Sequence, residues 1–194
     1  MADRPILFSG PMVRSLLDGR KTQTRRVLKV RRGLHPPCAD DTADVLLPLA
    51  AYRVGDRLWV RETWENSIGS PDEVSYRATA VDDGWRPEEV GEHKWRPSIF
   101  MPRWASRLTL TVTRVRVQRL QDISPADAIA EGIAPTATIH TIDCDTPNPC
   151  YDYRSLWDSL NAKRGFGWET NPWVVALTFT VARQNIDAEQ TEAA

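Results

Sequence analysis

Gly19-Arg20-Lys21-Thr22-Gln23-Thr24-Arg25-Arg26 is the stretch from which the rest of the chain is read. It follows a short apolar helix and opens a basic run. Every charged residue from Arg20 to Arg32 is positive (Arg20, Lys21, Arg25, Arg26, Lys29, Arg31, Arg32), although the 194-residue chain is formally only −1. Positive charge is therefore concentrated here, which suits a phosphate-bearing or otherwise anionic ligand. A solvated basic loop is the bland alternative that charge patterning leaves open.

Upstream, Ile6-Leu7-Phe8 reads as a first strand. Ser9 or Gly10 then caps a helix with Pro11 at its first position, where a missing N–H costs nothing. Met12, Val13, Leu16 and Leu17 share its inward face. Gly19 stands where a left-handed C-cap belongs. The segment from Thr22 to Val30 is then extended.

Downstream, 34–53 reads as a long surface insertion. Arg57 to Trp64 is a strand, with Leu58, Val60 and Glu62 on one face and Trp59 and Arg61 on the other. Ser75 to Ala78 is its hairpin partner. A second insertion covers 82–97. In Leu108 to Val117 the apolar positions begin on one parity (Leu108, Leu110, Val112) and switch to the other (Val115, Val117), the mark of a bulge. Ser124 caps a short helix with Pro125 first and Asp127 at the capping-box position. That helix ends at Gly132 and carries Glu131 in its last turn, against the dipole. A third insertion spans 134–150. Tyr153, Leu156, Trp157 and Leu160 mark an amphipathic helix, and Trp173 to Val181 is a final strand with one apolar face. Residues 183–194 read as a disordered tail, so one domain is expected over 5–182. The fold class is α+β, with long curled strands forming a small barrel covered by helices and carrying long loop insertions.

Hydrophobic content of 41% and charged content of 26% are those of a soluble globular chain. No membrane span and no signal peptide is read, so the expected location is the cytoplasm with no membrane partner. Three cysteines fit reduced thiols better than a disulfide framework. Eight tryptophans is unusual for this size: core filling is the first reading for any one of them, and lining a pocket where an indole stacks on a flat ligand is the second.

No Walker loop, G-x-G-x-x-G, H-E-x-x-H or G-x-S-x-G motif occurs. His35, Cys38, His140, Cys144 and Cys150 lack paired C-x2-C spacing, so no metal and no cofactor is assigned. The remaining constellation is Lys21, Thr24 and Glu131: an amine, a hydroxyl and a carboxylate. A hydroxyl needs a base before it attacks a carbonyl, and a desolvated lysine or glutamate can be one.

The octet around Lys21, placed directly after a first helix, resembles the G-x-K-type signature of the ASCH family, relatives of the PUA domain. Gly55-Asp56 before a strand, Ser124-Pro125 before a helix ending Ala130-Glu131-Gly132, and an apolar last strand follow in the family's order. The words Ile6 to Met12, Gly55 to Glu62, Met101 to Ser106 and Asn171-Pro172-Trp173 resemble the ASCH proteins of tailed phages and prophages. The resemblance covers residues 5–182. It implies a PUA-like β-barrel with a ligand cleft beside the first helix, and binding of RNA or modified nucleosides. One bacterial branch hydrolyses N4-acetylcytidine with a lysine, a threonine and a glutamate that fall on Lys21, Thr24 and Glu131. This chain is longer than those enzymes and carries insertions that they lack.

Three functions follow as expectations. The first is metal-independent amide hydrolysis on an acylated cytosine nucleoside or nucleic-acid base. Lys21, Thr24 and Glu131 are catalytic in it, and Arg20, Arg25, Arg26, Arg31, Arg32, Trp59 and Glu62 bind substrate or nucleic acid. The second is a non-catalytic module that binds RNA or a modified base. The third is a ribonuclease or a phage accessory interaction protein.

Overall fold

A computed structural model describes residues 1–29, 41–66, 73–134 and 148–188. The chain is α+β, with a five-stranded sheet and a two-stranded one. The larger sheet is hydrogen-bonded in the order β1-β3-β6-β7-β2, from strands β1 (Asp3–Leu7), β2 (Gln23–Val27), β3 (Arg57–Arg61), β6 (Thr109–Arg119) and β7 (Trp173–Ala182). Among the described residues this ladder ends at β1 on one side and β2 on the other, without a pairing that closes it. The smaller sheet pairs β4 (Trp64–Asn66) with β5 (Val74–Tyr76). The hairpin expected between Arg57–Trp64 and Ser75–Ala78 is thus made by a separate short strand. β3 spends its own hydrogen bonds on β1, in parallel, and on β6.

The chain divides into two compact units, Met1–Gly19, Gly55–Thr111 and Thr180–Ala194 in the first, Arg20–Val54 and Val112–Phe179 in the second. The first holds α1 (Gly10–Leu17), which begins after Ser9 with Pro in its first turn. Val13 and Leu16 are buried, and Gly19 follows with φ +73°, the left-handed conformation that a C-cap glycine adopts without strain. Leu58 and Val60 of β3 are buried with Leu108 and Leu110, as alternation requires. The 82–97 stretch contains α3 (Pro87–Glu92), and Trp85, His93 and Trp95 meet there with ring centroids 4.8–5.2 Å apart.

Residues 184–188, expected to belong to a disordered tail, pack into the first unit. Ile186 is fully buried, and the Asn185 amide donates to the carbonyls of Arg103, Trp104 and Ser106 at 2.7–3.0 Å. The two protons of that amide are shared among three backbone acceptors, which helps to offset the ordering entropy of a polar segment, and the buried isoleucine anchors it.

The second unit holds α2 (Ala43–Leu46), α4 (Pro125–Ala130) and α5 (Pro149–Asn161). Leu46 is buried, so part of the segment 34–53 is structure rather than surface loop; 30–40 lie outside the described residues. Leu120, Ile123, Ala128, Tyr153, Trp157 and Val174 form one core cluster. In β7 the residues Val174, Val175, Ala176 and Leu177 are all buried, where one apolar face was expected. A central strand covered on both faces loses the alternation of a half-exposed one. β6 keeps its phase change: Leu110 and Val112 are buried at one end and Val117 at the other.

Candidate functional site

All the groups that meet around Lys21 belong to the second unit. Lys21 stands just before β2 and forms an isolated antiparallel bridge with Glu131, the residue that caps α4 at its C-terminus. The Lys21 side chain is completely buried. Its ammonium donates to Oε2 of Glu131 at 2.7 Å, to the Glu131 carbonyl at 2.7 Å and to the Gln23 carbonyl at 2.9 Å. Three acceptors match the three protons of an ammonium. Burial pushes the Lys21 pKa below its ordinary 10.5; the Glu131 carboxylate opposes that, and Arg26 and Arg25 add to it.

Arg25 completes the cluster. It is 3% exposed and bridges two carboxylates, reaching Glu131 Oε1 at 3.2 Å and Asp127 Oδ2 at 2.8 Å. Arg116 adds a second cation to Asp127 at 3.2 Å. For Asp127, burial alone would raise the pKa; the Arg25 charge, a Gln23 hydrogen bond and Arg116 outweigh it and hold the carboxyl below 3.8. Asp127 was read as a capping-box acid. Ser124 Oγ does accept from the Asp127 N–H, but the Asp127 carboxylate is taken by the two arginines.

The dipole problem at Glu131 resolves in the same place. Lys21 donates to the Glu131 carbonyl, and Arg20, an exposed residue, donates to the Gly132 carbonyl at 3.2 Å. Cations at a helix C-terminus satisfy its orphan carbonyls and contribute about 0.3–1 kcal/mol each when exposed, more when partly buried. The start of the basic run is thus absorbed by α4.

Thr24 is completely buried on β2, in register with Leu177, and its Oγ1 accepts from Arg26 at 2.6 Å. Arg26 also donates to the Arg25 carbonyl at 3.0 Å. The sequence therefore brings Lys21, Arg25 and Glu131 into one cluster, with Thr24 tied to Arg26. Arg25, assigned above to direct ligand contact, instead spends its guanidinium on two carboxylates and is closed to solvent. Trp59 and Glu62 belong to the first unit. Trp59 carries the Arg61 guanidinium 5.3 Å from its ring centre. Glu62 is 1% exposed and held by Arg107 through both oxygens, at 2.9 and 3.0 Å. Arg31, Arg32, His35, Cys38, His140 and Cys144 lie outside the described residues. Among the described residues no three His, Cys, Asp or Glu side chains are grouped to hold a metal, and the Cys150 thiol faces the Ile123 carbonyl at 3.7 Å.

Gln23 and Arg116 escaped the sequence reading as members of this cluster, and Asp127 was read only as a cap. A signal existed: Asp127 and Glu131 are separated by four residues, which places two carboxylates on one helical face.

Fold and cluster together define an α+β protein with a buried lysine-glutamate pair braced by an Arg-Asp pair. No family model, no curated protein and no solved structure matches the chain.

Proposed function

We propose that the second unit carries out metal-independent amide hydrolysis on an acylated cytosine nucleoside or nucleic-acid base, as an ASCH-type domain of PUA-like barrel topology. One observation supports this reading above others: a fully buried lysine whose pKa is pushed down lies 2.7 Å from a glutamate oxygen. Such a pair can exchange a proton at low cost, which is what an acyl transfer at an amide requires. In this reading Thr24 Oγ1 is the nucleophile. The Arg26 guanidinium on Thr24 Oγ1 favours its deprotonated form and leaves the hydroxyl proton free to be taken. The uncharged form of Lys21, which burial favours, accepts that proton, and the Lys21–Glu131 pair returns one to the leaving amino group. Water then releases the acyl group from Thr24. The test compares Thr24→Ser with Thr24→Val: hydrolysis of an N4-acylated cytidine persists in the first and disappears in the second. Equal activity in both contradicts the role of Thr24.

A second reading, binding of RNA or a modified base without chemistry, is favoured by a different observation. The Lys21 ammonium already has three acceptors, Lys21 and Thr24 are fully buried, and Thr24 Oγ1 is engaged by Arg26. Under this reading the cluster sets the geometry of β2 and α4, and the ligand meets the exposed part of the basic run. RNA affinity then falls steeply with added salt while no acylated cytidine is consumed.

A further inference from the structure

An open cavity of about 550 Å³ lies along the segment 82–97 of the first unit, within the size range of small-ligand sites. Asp83, Gly84, Trp85, Glu89, Glu92 and His93 line it. Local structure brings them together. Gly84 takes φ +97°, and the turn it makes returns the Trp85 N–H to the Ala80 carbonyl at 2.9 Å. α3 follows, and Glu89, Glu92 and His93 stand at i, i+3 and i+4, on one helical face.

The aromatic wall is fixed from behind. Trp85 and His93 meet nearly edge to face at 5.1 Å, and Trp95 packs against both, at 5.2 and 4.8 Å. The Trp95 indole N–H donates to the Val90 carbonyl of α3 at 2.9 Å. Trp85 itself is half-buried, so part of its indole is left to the cavity.

The charge of the lining is negative. It contains three carboxylates and no lysine or arginine. Arg86 takes Glu89, at 2.7 and 2.9 Å. Asp83 accepts from the Thr79 hydroxyl at 2.8 Å, a neutral donor that leaves its charge in place. Glu92 is exposed and has no hydrogen bond or ion pair among the described residues. Two carboxylates are thus left for a cation. Among the described residues no three His, Cys, Asp or Glu side chains, these included, are grouped to hold a metal. The negative charge is therefore spread along the wall rather than focused on a point.

We propose that this cavity binds an aliphatic polyamine. Such a molecule carries ammonium groups separated by methylene links, which matches spread carboxylates beside an aromatic surface. An indole attracts an ammonium through its face more strongly than any other side-chain ring, and the methylenes lie against the same apolar surface. No residue of α1, β2 or α4 lines the cavity, so the site stands whether or not hydrolysis occurs in the second unit.

The test is calorimetric titration of the full chain with spermidine, tetramethylammonium and magnesium ion. Spermidine is expected to bind saturably and more tightly than the other two. Trp85→Ala and Glu92→Gln should each weaken it by on the order of tenfold, with a smaller loss in Trp85→Phe. Glu88→Gln, which alters an exposed carboxylate of α3 outside the lining, should leave it unchanged. Overturning results are no spermidine binding by the folded wild type, affinity unaltered in Glu92→Gln or Trp85→Ala, a loss in Glu88→Gln as large as in Glu92→Gln, or tetramethylammonium or magnesium binding as tightly as spermidine.

Discussion

Glu131 holds Lys21 twice, through its carboxylate at 2.7 Å and through its own carbonyl at 2.7 Å. One residue thus serves as ion-pair partner and as helix C-terminus for the same cation. Both side chains are withdrawn from water, at 0% and 4% exposure. A pair so placed owes its persistence to geometry, because its desolvation cost offsets most of its Coulomb attraction.

Removing one member should therefore cost more than removing both. Glu131→Ala leaves the buried ammonium uncompensated and is expected to destabilise by about 3–5 kcal/mol. Lys21→Met combined with Glu131→Leu should recover part of that loss; Arg25 keeps Asp127 but forfeits Glu131. Urea denaturation of Lys21→Met, Glu131→Leu and the double variant measures the coupling. Additive costs would mean that the pair is not coupled.

Acid should loosen the second unit through Asp127. Its folded pKa lies below 3.8, so its contribution to stability is present above that value and is lost as pH falls through the folded one. In Asp127→Asn that contribution is absent at every pH. The decline of urea midpoint below about pH 4 should be shallower in the variant than in the wild type.

The end of the chain should matter for stability. Ile186 is fully buried, and Ile186→Ala is expected to cost about 2–5 kcal/mol in chemical denaturation. An unchanged midpoint would place the isoleucine at the surface.

Hydrolysis, if Lys21 acts as its base, should rise with pH. The neutral amine is the active form, and its pKa is pushed below 10.5. The rate against pH should therefore climb to a plateau with an inflection under 10.5, and Lys21→Arg, which stays charged throughout, should show no such climb. A flat profile in the wild type assigns the base elsewhere.

Local chemistry made much of this legible in sequence. Gly19 ended α1 because only a glycine takes φ +73° freely, and the parity change in Leu108 to Val117 marked where β6 turns its apolar side. Lys21 and Glu131 could be named because the ASCH resemblance places functional residues there and because Glu131 stands against the dipole of its helix. What stayed hidden depends on distant contacts. The role of Asp127 is set by Arg25, 102 residues away, and by Arg116, 11 residues away, and capping chemistry was the stronger local cue. The burial of β7 on both faces follows from what covers it. The order of 184–188 rests on three carbonyls of 103–106 that no pattern in a polar segment announces.

The most direct test incubates the purified chain with N4-acetylcytidine and follows cytidine by chromatography, for the wild type and for Glu131→Gln. The isosteric amide keeps the size of the side chain and a carbonyl for Lys21 while removing the charge, and circular dichroism checks that each protein is folded. Amide hydrolysis at this cluster yields cytidine from the wild type and a rate lower by roughly 10²-fold or more in Glu131→Gln, the scale of a lost general acid-base group. No cytidine from folded wild-type protein, or equal rates in the two, would contradict it.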